Sequence, residues 1–211
     1  MPVFTPRLNY NGTDTLDYYT TANPFYTAYE YNPDTGVYEW LWMPNCTAYA
    51  FGRFNELAQE HNLNYRWPTG NGDSWYAAAP GKGLQRGQVP ALGAAMCWSY
   101  TNDPDAGGHV AIIERMDYNA FNVLTNIVIS NSAFNHYDPP RYPQNAFPWF
   151  YLENVDPNNL NHYANWHFNG FVYHPNYPPG SSPLDPAKLI TALASNNERM
   201  QIKLYRKRRL I

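Results

Sequence analysis

The chain has 211 residues and a formal net charge of −3. That length supports one self-sufficient core with a tail, and that charge excludes bulk electrostatic binding to nucleic acid or a membrane surface. No apolar run approaches the ~20 residues of a membrane span, the N-terminal MPVFTPRLNYNGTD lacks the apolar centre of a secretion signal, and 19 Tyr, 7 Trp and 10 Phe argue against disorder.

Residues 1–27 are polar, Tyr-rich and Pro-containing without a sustained period, and read as an irregular arm wrapping the domain. Thr27–Tyr31 and Val37–Trp42 read as a hairpin around Asn32-Pro33-Asp34-Thr35-Gly36. Pro44-Asn45 breaks it. Tyr49, Ala50, Phe54, Leu57 and Ala58 then recur at helical spacing, which predicts a helix over Cys46–Glu60 with Asn45 as its N-cap. Residues 61–92 are punctuated by Gly and Pro, with a short helix in GDSWYAAA capped by Asp73 or Ser74. Strands are expected at Gly93–Tyr100, in HVAIIERMD and in NVLTNIVISNS, the last two joined by a turn at YNAF. Asn135–Asn165 reads as a long aromatic loop, and HFNGFVYHPN as a closing strand. After the linker YPPGSSP the chain becomes helix-prone and basic, ending in Arg-Lys-Arg-Arg, a solvated tail in preference to an anion site.

Cys46 stands at the first turn of the predicted helix. Unpaired N–H groups and the helix dipole favour a thiolate there, which makes it a candidate nucleophile. The alternative, a buried packing cysteine, stands beside it. Of six histidines, His109 follows Gly107-Gly108 and opens an alternating strand. Glycines there let substrate or another backbone approach closely, so an imidazole at that mouth is held yet reachable. If the two following strands pair about a turn centred near Asn119-Ala120, His109 faces Ser130 or Asn131 on a shared face. The Asn131 amide oxygen is able to accept an imidazole N–H and orient the ring. Cys97 lies inside an apolar strand and reads as packing, with no disulfide to Cys46. Asp34, Asp103 and Asp105 are isolated turn residues, so no metal is expected.

The segments NCTAYAFGR, GDSWYAAA, GAAMCWSY, GHVAIIERMD and VISNSAFN, in this order and spacing, resemble the CHAP family, the cysteine, histidine-dependent amidohydrolases/peptidases of bacteria and phages. FNGFVYHP is similar to the closing strand of such domains in phage proteins. The resemblance covers residues 36–177. It implies an α+β, papain-like fold in which a helix carrying the cysteine packs on an antiparallel sheet, and three parts to the chain: a 1–35 arm that includes the start of the hairpin, a 36–177 catalytic domain, and a 178–211 linker and basic helical tail. It implies peptidoglycan as substrate, cut at an amide of the stem peptide, the cross-bridge or the muramoyl–alanine link, with no cofactor. Cys46 falls on the family's nucleophile and His109 on its base. The third position, often Glu in the family, is Asn131 here, and a second polar position two residues on is Ala133. Asn45 is an oxyanion or cap candidate, capping being preferred, and Trp75, Tyr76 and Trp98 are candidates for the cleft, as core or cleft wall in preference to specific contacts.

Without a recognised secretion signal, the expected setting is a phage lysin, tail-associated or released to the host wall, with other tail proteins as partners through the arm or through 184–211. The rival readings are a catalytically silent tail component that binds the wall, and a cysteine acyltransferase or general peptidase.

Overall fold

The computed structural model describes residues 3–9, 27–32, 37–42, 45–58, 67–103, 107–132 and 150–180. All fall in the compact unit Met1–Ser181; the basic tail lies outside the described residues. The expected hairpin is present as β1 (Thr27–Asn32) and β2 (Val37–Trp42), paired antiparallel from Thr27↔Trp42 to Asn32↔Val37. α1 (Cys46–Ala58) follows, and its predicted last two residues lie outside the described ones. Next come a 3-10 turn at Gly72–Ser74, the short α2 (Trp75–Ala78) and β3 (Arg86–Gly87). The remaining strands are β4 (Ala95–Tyr100), β5 (His109–Tyr118), β6 (Leu124–Asn131), β7 (Tyr151–Val155) and β8 (Trp166–Val172). β3 to β8 make one antiparallel sheet in the order β3-β8-β4-β5-β6-β7. The protein is α+β, with the cysteine-bearing helix against the sheet, as expected.

Both faces of this sheet are covered, which is why β4 reads as an apolar run, and Val110–Ile113 of β5, read as part of an alternating strand, is buried throughout. On one face, Tyr49, Ala50, Phe54 and Leu57 of α1 pack with Cys97, Val110, Ile112 and Val172. On the other, Met96, Trp98, Ala111, Ile113, Ile127, Ile129, Phe168 and Phe171 form a second core. β8, read as the closing strand, is interior to the sheet, between β3 and β4. Two strands were not expected. β3 is two residues long and carries no period, and β7 lies inside the segment read as an aromatic loop.

The β5–β6 register also departs from expectation. Ile112 faces Ser130 and Tyr118 faces Leu124, with irregularities at Ile113/Arg115 and Asp117/Tyr118. The turn is therefore centred at Phe121, not between Asn119 and Ala120. Asn119 causes the shift. Its Oδ1 accepts the N–H groups of Phe121 and Val123 at 2.9 and 3.0 Å, and Asn122 takes a left-handed φ of 61°, which closes a longer turn. His109 thus does not face Ser130 or Asn131 directly.

The irregularity at Glu114 serves a second purpose. Glu114 is buried, and both its oxygens accept from Arg53 of α1, Nε to Oε1 at 2.9 Å and Nη2 to Oε2 at 2.8 Å. Ser130 of β6 donates to Oε1 at 2.7 Å, and the Arg7 N–H donates to Oε2 at 2.8 Å. Arg53 also reaches Glu56 and the carbonyl of Thr5. One buried ion pair thus ties helix, two strands and the N-terminal segment together. Removing one partner leaves an uncompensated buried charge, which costs about 3–5 kcal/mol. Glu114→Ala is expected to lower unfolding stability by that order in a urea titration followed by circular dichroism, and Arg115→Ala, at an exposed pair with Asp117, by less than about 1 kcal/mol.

Candidate active site

Asn45 caps α1 as its residue type suggests. Its Oδ1 accepts the N–H of Thr47 at 2.7 Å and of Ala48 at 3.1 Å. The carbonyl oxygen of that side chain is committed to the helix end, so capping is the observed work of Asn45. The cap places Cys46 at the first turn, 6% exposed, where its sulfur faces the backbone N–H of Val110 and those of Thr47 and of Cys46 itself.

These N–H groups favour a thiolate, but burial outweighs them and pushes the Cys46 thiol up to about 11. The helix start alone was expected to depress it. The resting site holds a neutral thiol because a nearly enclosed sulfur forfeits water on ionising. Cys97 is fully buried with its pKa also raised, chiefly by burial. It sits in the core under α1, and neither cysteine is in a disulfide.

His109 is the first residue of β5, joined by one peptide bond to the Val110 N–H that faces the sulfur. Cys46 thus lies at the mouth of β5 on the helix side, and His109 opens the same strand on the side of Trp98, its β4 partner. The glycines before it serve another backbone. Gly108 has φ 63°, and a Cβ there would lie 2.4 Å from the Trp98 carbonyl and 2.5 Å from Asp73. A Cβ on Gly72 would lie 2.6 Å from the His109 carbonyl carbon. The Asp73 N–H donates to the Gly107 carbonyl at 3.2 Å, so the 3-10 turn buttresses the strand mouth.

The His109 Nε2 and the Asn131 Oδ1 are 3.0 Å apart. The contact forms although the two residues are not directly opposed. With Ile112 against Ser130, Asn131 is a diagonal neighbour of His109 on the same face, within reach of long side chains. Asn131 is completely buried, and its Nδ2 donates to Glu153 Oε2 at 2.8 Å. The same oxygen accepts the Tyr163 hydroxyl at 2.6 Å. Rings of Trp98, Tyr163 and Trp166 surround the imidazole at centroid distances of 5.9, 5.5 and 6.1 Å.

The cleft candidates divide. Trp75 is fully buried in the core beneath α1, its indole N–H donating to the Gly70 carbonyl at 3.0 Å. Trp98 is fully buried against His109, with its N–H on the Leu160 carbonyl at 2.7 Å. Neither lines an open cleft; both are too well packed. Tyr76 is half-buried, with the Arg86 guanidinium over its ring at 4.5 Å. Glu153 and Tyr163 were not singled out from the sequence, since both fall in the stretch read as loop. His174 is a core residue, its Nε2 3.1 Å from the Phe54 carbonyl and its Nδ1 accepting the Asn176 N–H at 3.2 Å. His61, His136, Asp34, Asp105 and Ala133 lie outside the described residues. Among the described residues, no group of three or more His, Cys, Asp or Glu is placed to hold a metal ion.

The order Cys46, His109, Asn131 on a capped helix and two adjacent strands coincides with a family match. The model of the CHAP domain matches residues 33–131. That segment, a little under half of the chain, is similar to CHAP domains. CHAP domains are those of the cysteine, histidine-dependent amidohydrolases/peptidases. No curated protein matches the chain. Among solved structures, the crystal structure of N-acetylmuramoyl-L-alanine amidase from Staphylococcus aureus is similar at 18% identity and a TM-score of 0.38, covering 60% of this chain and 30% of that one. This chain thus matches under a third of that protein's length.

Two measurements check the geometry of this CHAP site. Because Cys46 rests as a thiol raised to about 11, its thiolate fraction grows roughly tenfold per pH unit below that value. Iodoacetamide labelling read by peptide mass spectrometry is expected to climb in that way from neutral to alkaline pH, with Cys97 unlabelled in the folded protein; a plateau reached below neutrality would contradict the raised value. Gly108→Ala is expected to destabilise the fold by about 1–3 kcal/mol, and to displace the His109 ring resonances in an NMR spectrum.

Proposed function

We propose that the protein is a peptidoglycan hydrolase that cuts an amide bond by cysteine nucleophilic catalysis. The observation that carries this reading is the 3.0 Å contact between His109 Nε2 and Asn131 Oδ1, beside a helix-capped cysteine whose sulfur faces the next backbone N–H. With Nε2 engaged by the asparagine, Nδ1 is the ring nitrogen that exchanges protons with the thiol.

The resting thiol is neutral, so its proton passes to His109 as the sulfur attacks the amide carbonyl. A C–S bond forms and the carbonyl becomes an oxyanion, which backbone N–H groups at the start of α1 stabilise. The imidazolium then gives its proton to the leaving amine as the C–N bond breaks, and a thioester remains. Water, losing a proton to His109, attacks the thioester; the C–S bond breaks and the sulfur recovers its proton. The aromatic rings around His109 lower the local dielectric on the Asn131 side, which strengthens the hydrogen bond to Asn131.

The biological setting we propose is that of a phage lysin acting on the host wall, with the Tyr- and Pro-rich N-terminal arm and the basic tail as the segments that meet other tail proteins. Sequence composition supports that setting. A wall-binding component without turnover is the rival, and the presence of thiol, imidazole and amide in one place favours the enzyme.

The test is clearance of purified peptidoglycan followed as turbidity, with mass spectrometry of the released fragments to identify the bond. Cys46→Ala and His109→Ala are expected to reduce turnover to background while the fold is kept. Asn131→Ala is expected to lose roughly ten- to a hundredfold in rate, because one orienting hydrogen bond is worth about 1–3 kcal/mol. Binding to the wall with no fragment released by the intact protein would support the silent component instead.

A further inference from the structure

The acceptor of the Asn131 amide is the part of the site that neither the family match nor the sequence reading accounts for. Glu153 lies beyond the matched 33–131 segment, on β7, where its register partner is Ile129 and Asn131 faces Tyr151. Glu153 is therefore a diagonal neighbour of Asn131, as Asn131 is of His109. The three side chains form an oblique line across β5, β6 and β7 on one face of the sheet.

A buried amide is able to point either way, and its partners decide which. An ionised carboxylate only accepts. Turned over, Asn131 would set its oxygen against the Glu153 carboxylate and its NH2 against the imidazole, so the carboxylate fixes the orientation in which Oδ1 faces His109. That oxygen in turn requires a proton on Nε2, which leaves Nδ1 as the basic nitrogen of the neutral ring. The carboxylate's negative charge, two hydrogen bonds from the imidazole, also favours the imidazolium. We infer that Glu153 is a positioning residue that orients Asn131 and, through it, sets the tautomer and the charge of His109. This rests on the reading of His109 as the catalytic base.

Glu153 is built to remain ionised. Burial raises its pKa, but nearby His162 and the hydrogen bonds from Tyr163 and Asn131 together outweigh burial and hold it below the usual carboxylate range. Tyr163 stays a donor because burial first, and the Glu153 charge second, push its pKa up. The titratable groups facing this network are Tyr163, edge-on to His109 at 5.5 Å; His162, 3.9 Å from Glu153 Oε1; Tyr151, on the same strand as Glu153; and Cys46, which like Tyr151 raises the Tyr163 pKa once it is ionised. Tyr163 thus closes a ring of contacts, bonding the carboxylate and packing against the imidazole whose orientation the carboxylate sets. In this chain the carboxylate comes from a neighbouring strand and acts through the asparagine.

The experiment is a pH titration of the His109 ring in the full-length protein, by nitrogen–proton correlation NMR, for the wild type, Glu153→Gln and Glu153→Ala. The wild type is expected to show the Nε2–H tautomer when neutral. Glu153→Gln, which keeps an acceptor but loses the charge, is expected to lower the titration midpoint. Glu153→Ala is expected to lower it and to mix the two tautomers. In wall hydrolysis both variants are expected to lose kcat, roughly tenfold or more for one orienting hydrogen bond, with KM unchanged. A midpoint and tautomer identical to the wild type in both variants would overturn the inference. If Glu153→Ala fails to fold, the near-isosteric Glu153→Gln decides by its midpoint alone. The ring measurement needs no substrate, so a wild type that leaves peptidoglycan intact refutes the hydrolase reading while the NMR result still decides the role of Glu153.

Discussion

The Arg53–Glu114 pair is the constraint on which the site depends. Helix α1 carries the thiol and strand β5 carries the imidazole, and apolar packing between them is tolerant of sliding. A bidentate ion pair, buried and further bonded to Ser130 and to the arm through the Arg7 N–H, is not tolerant. Buried ion pairs contribute little net stability over a packed apolar alternative, and their best-attested use is to define register. Here the register defined is that of a helix on a sheet, seven residues along α1 from Cys46 and five along β5 from His109. An apolar substitute would hold the layers together without fixing their relative position.

At the strand mouth, different forces set the two partners. Helix capping by Asn45 and the Val110 N–H fix Cys46, while burial keeps it protonated. Glycine contacts, aromatic rings and one hydrogen bond fix His109. Under the proposed mechanism, a neutral thiol in the resting state shifts the burden of activation to the imidazole. In that mechanism the basicity and tautomer of His109 matter more than any preformed thiolate, and the inferred role of Glu153 acts on both.

Much of this was legible in the sequence because its causes are local. Asn45 before Cys46 announces a capped helix, the Asn32–Gly36 cluster a hairpin, and the runs around Val110 and Ile129 two strands. His109 and Asn131 were paired from the sequence, but through a direct register that the structure replaces with a diagonal one. The error came from the turn. Whether a YNAF segment closes tightly or through an Asn119 side chain is decided by a few hydrogen bonds that no hydrophobic period reports. Trp75 and Trp98 stood between cleft wall and core, and the structure buries both, because aromatic residues look alike in sequence whether they wall a cleft or fill a core.

By itself, the sequence determined which chemistry is present: a thiol at a helix start, an imidazole at a strand start, an amide on the next strand, and the CHAP pattern that joins them. Only the tertiary structure decided the electrostatics. The raised pKa of Cys46 follows from how much water the packed sheet and helix exclude, a property of the whole layer arrangement. Glu153 and Tyr163 sit in an irregular, aromatic stretch with no periodicity to announce a strand. Their meaning appears only when β7 pairs with β6 and brings a carboxylate to the far side of Asn131. Hydrogen bonding across strands is non-local, so the order of residues along the chain does not encode it in any readable pattern.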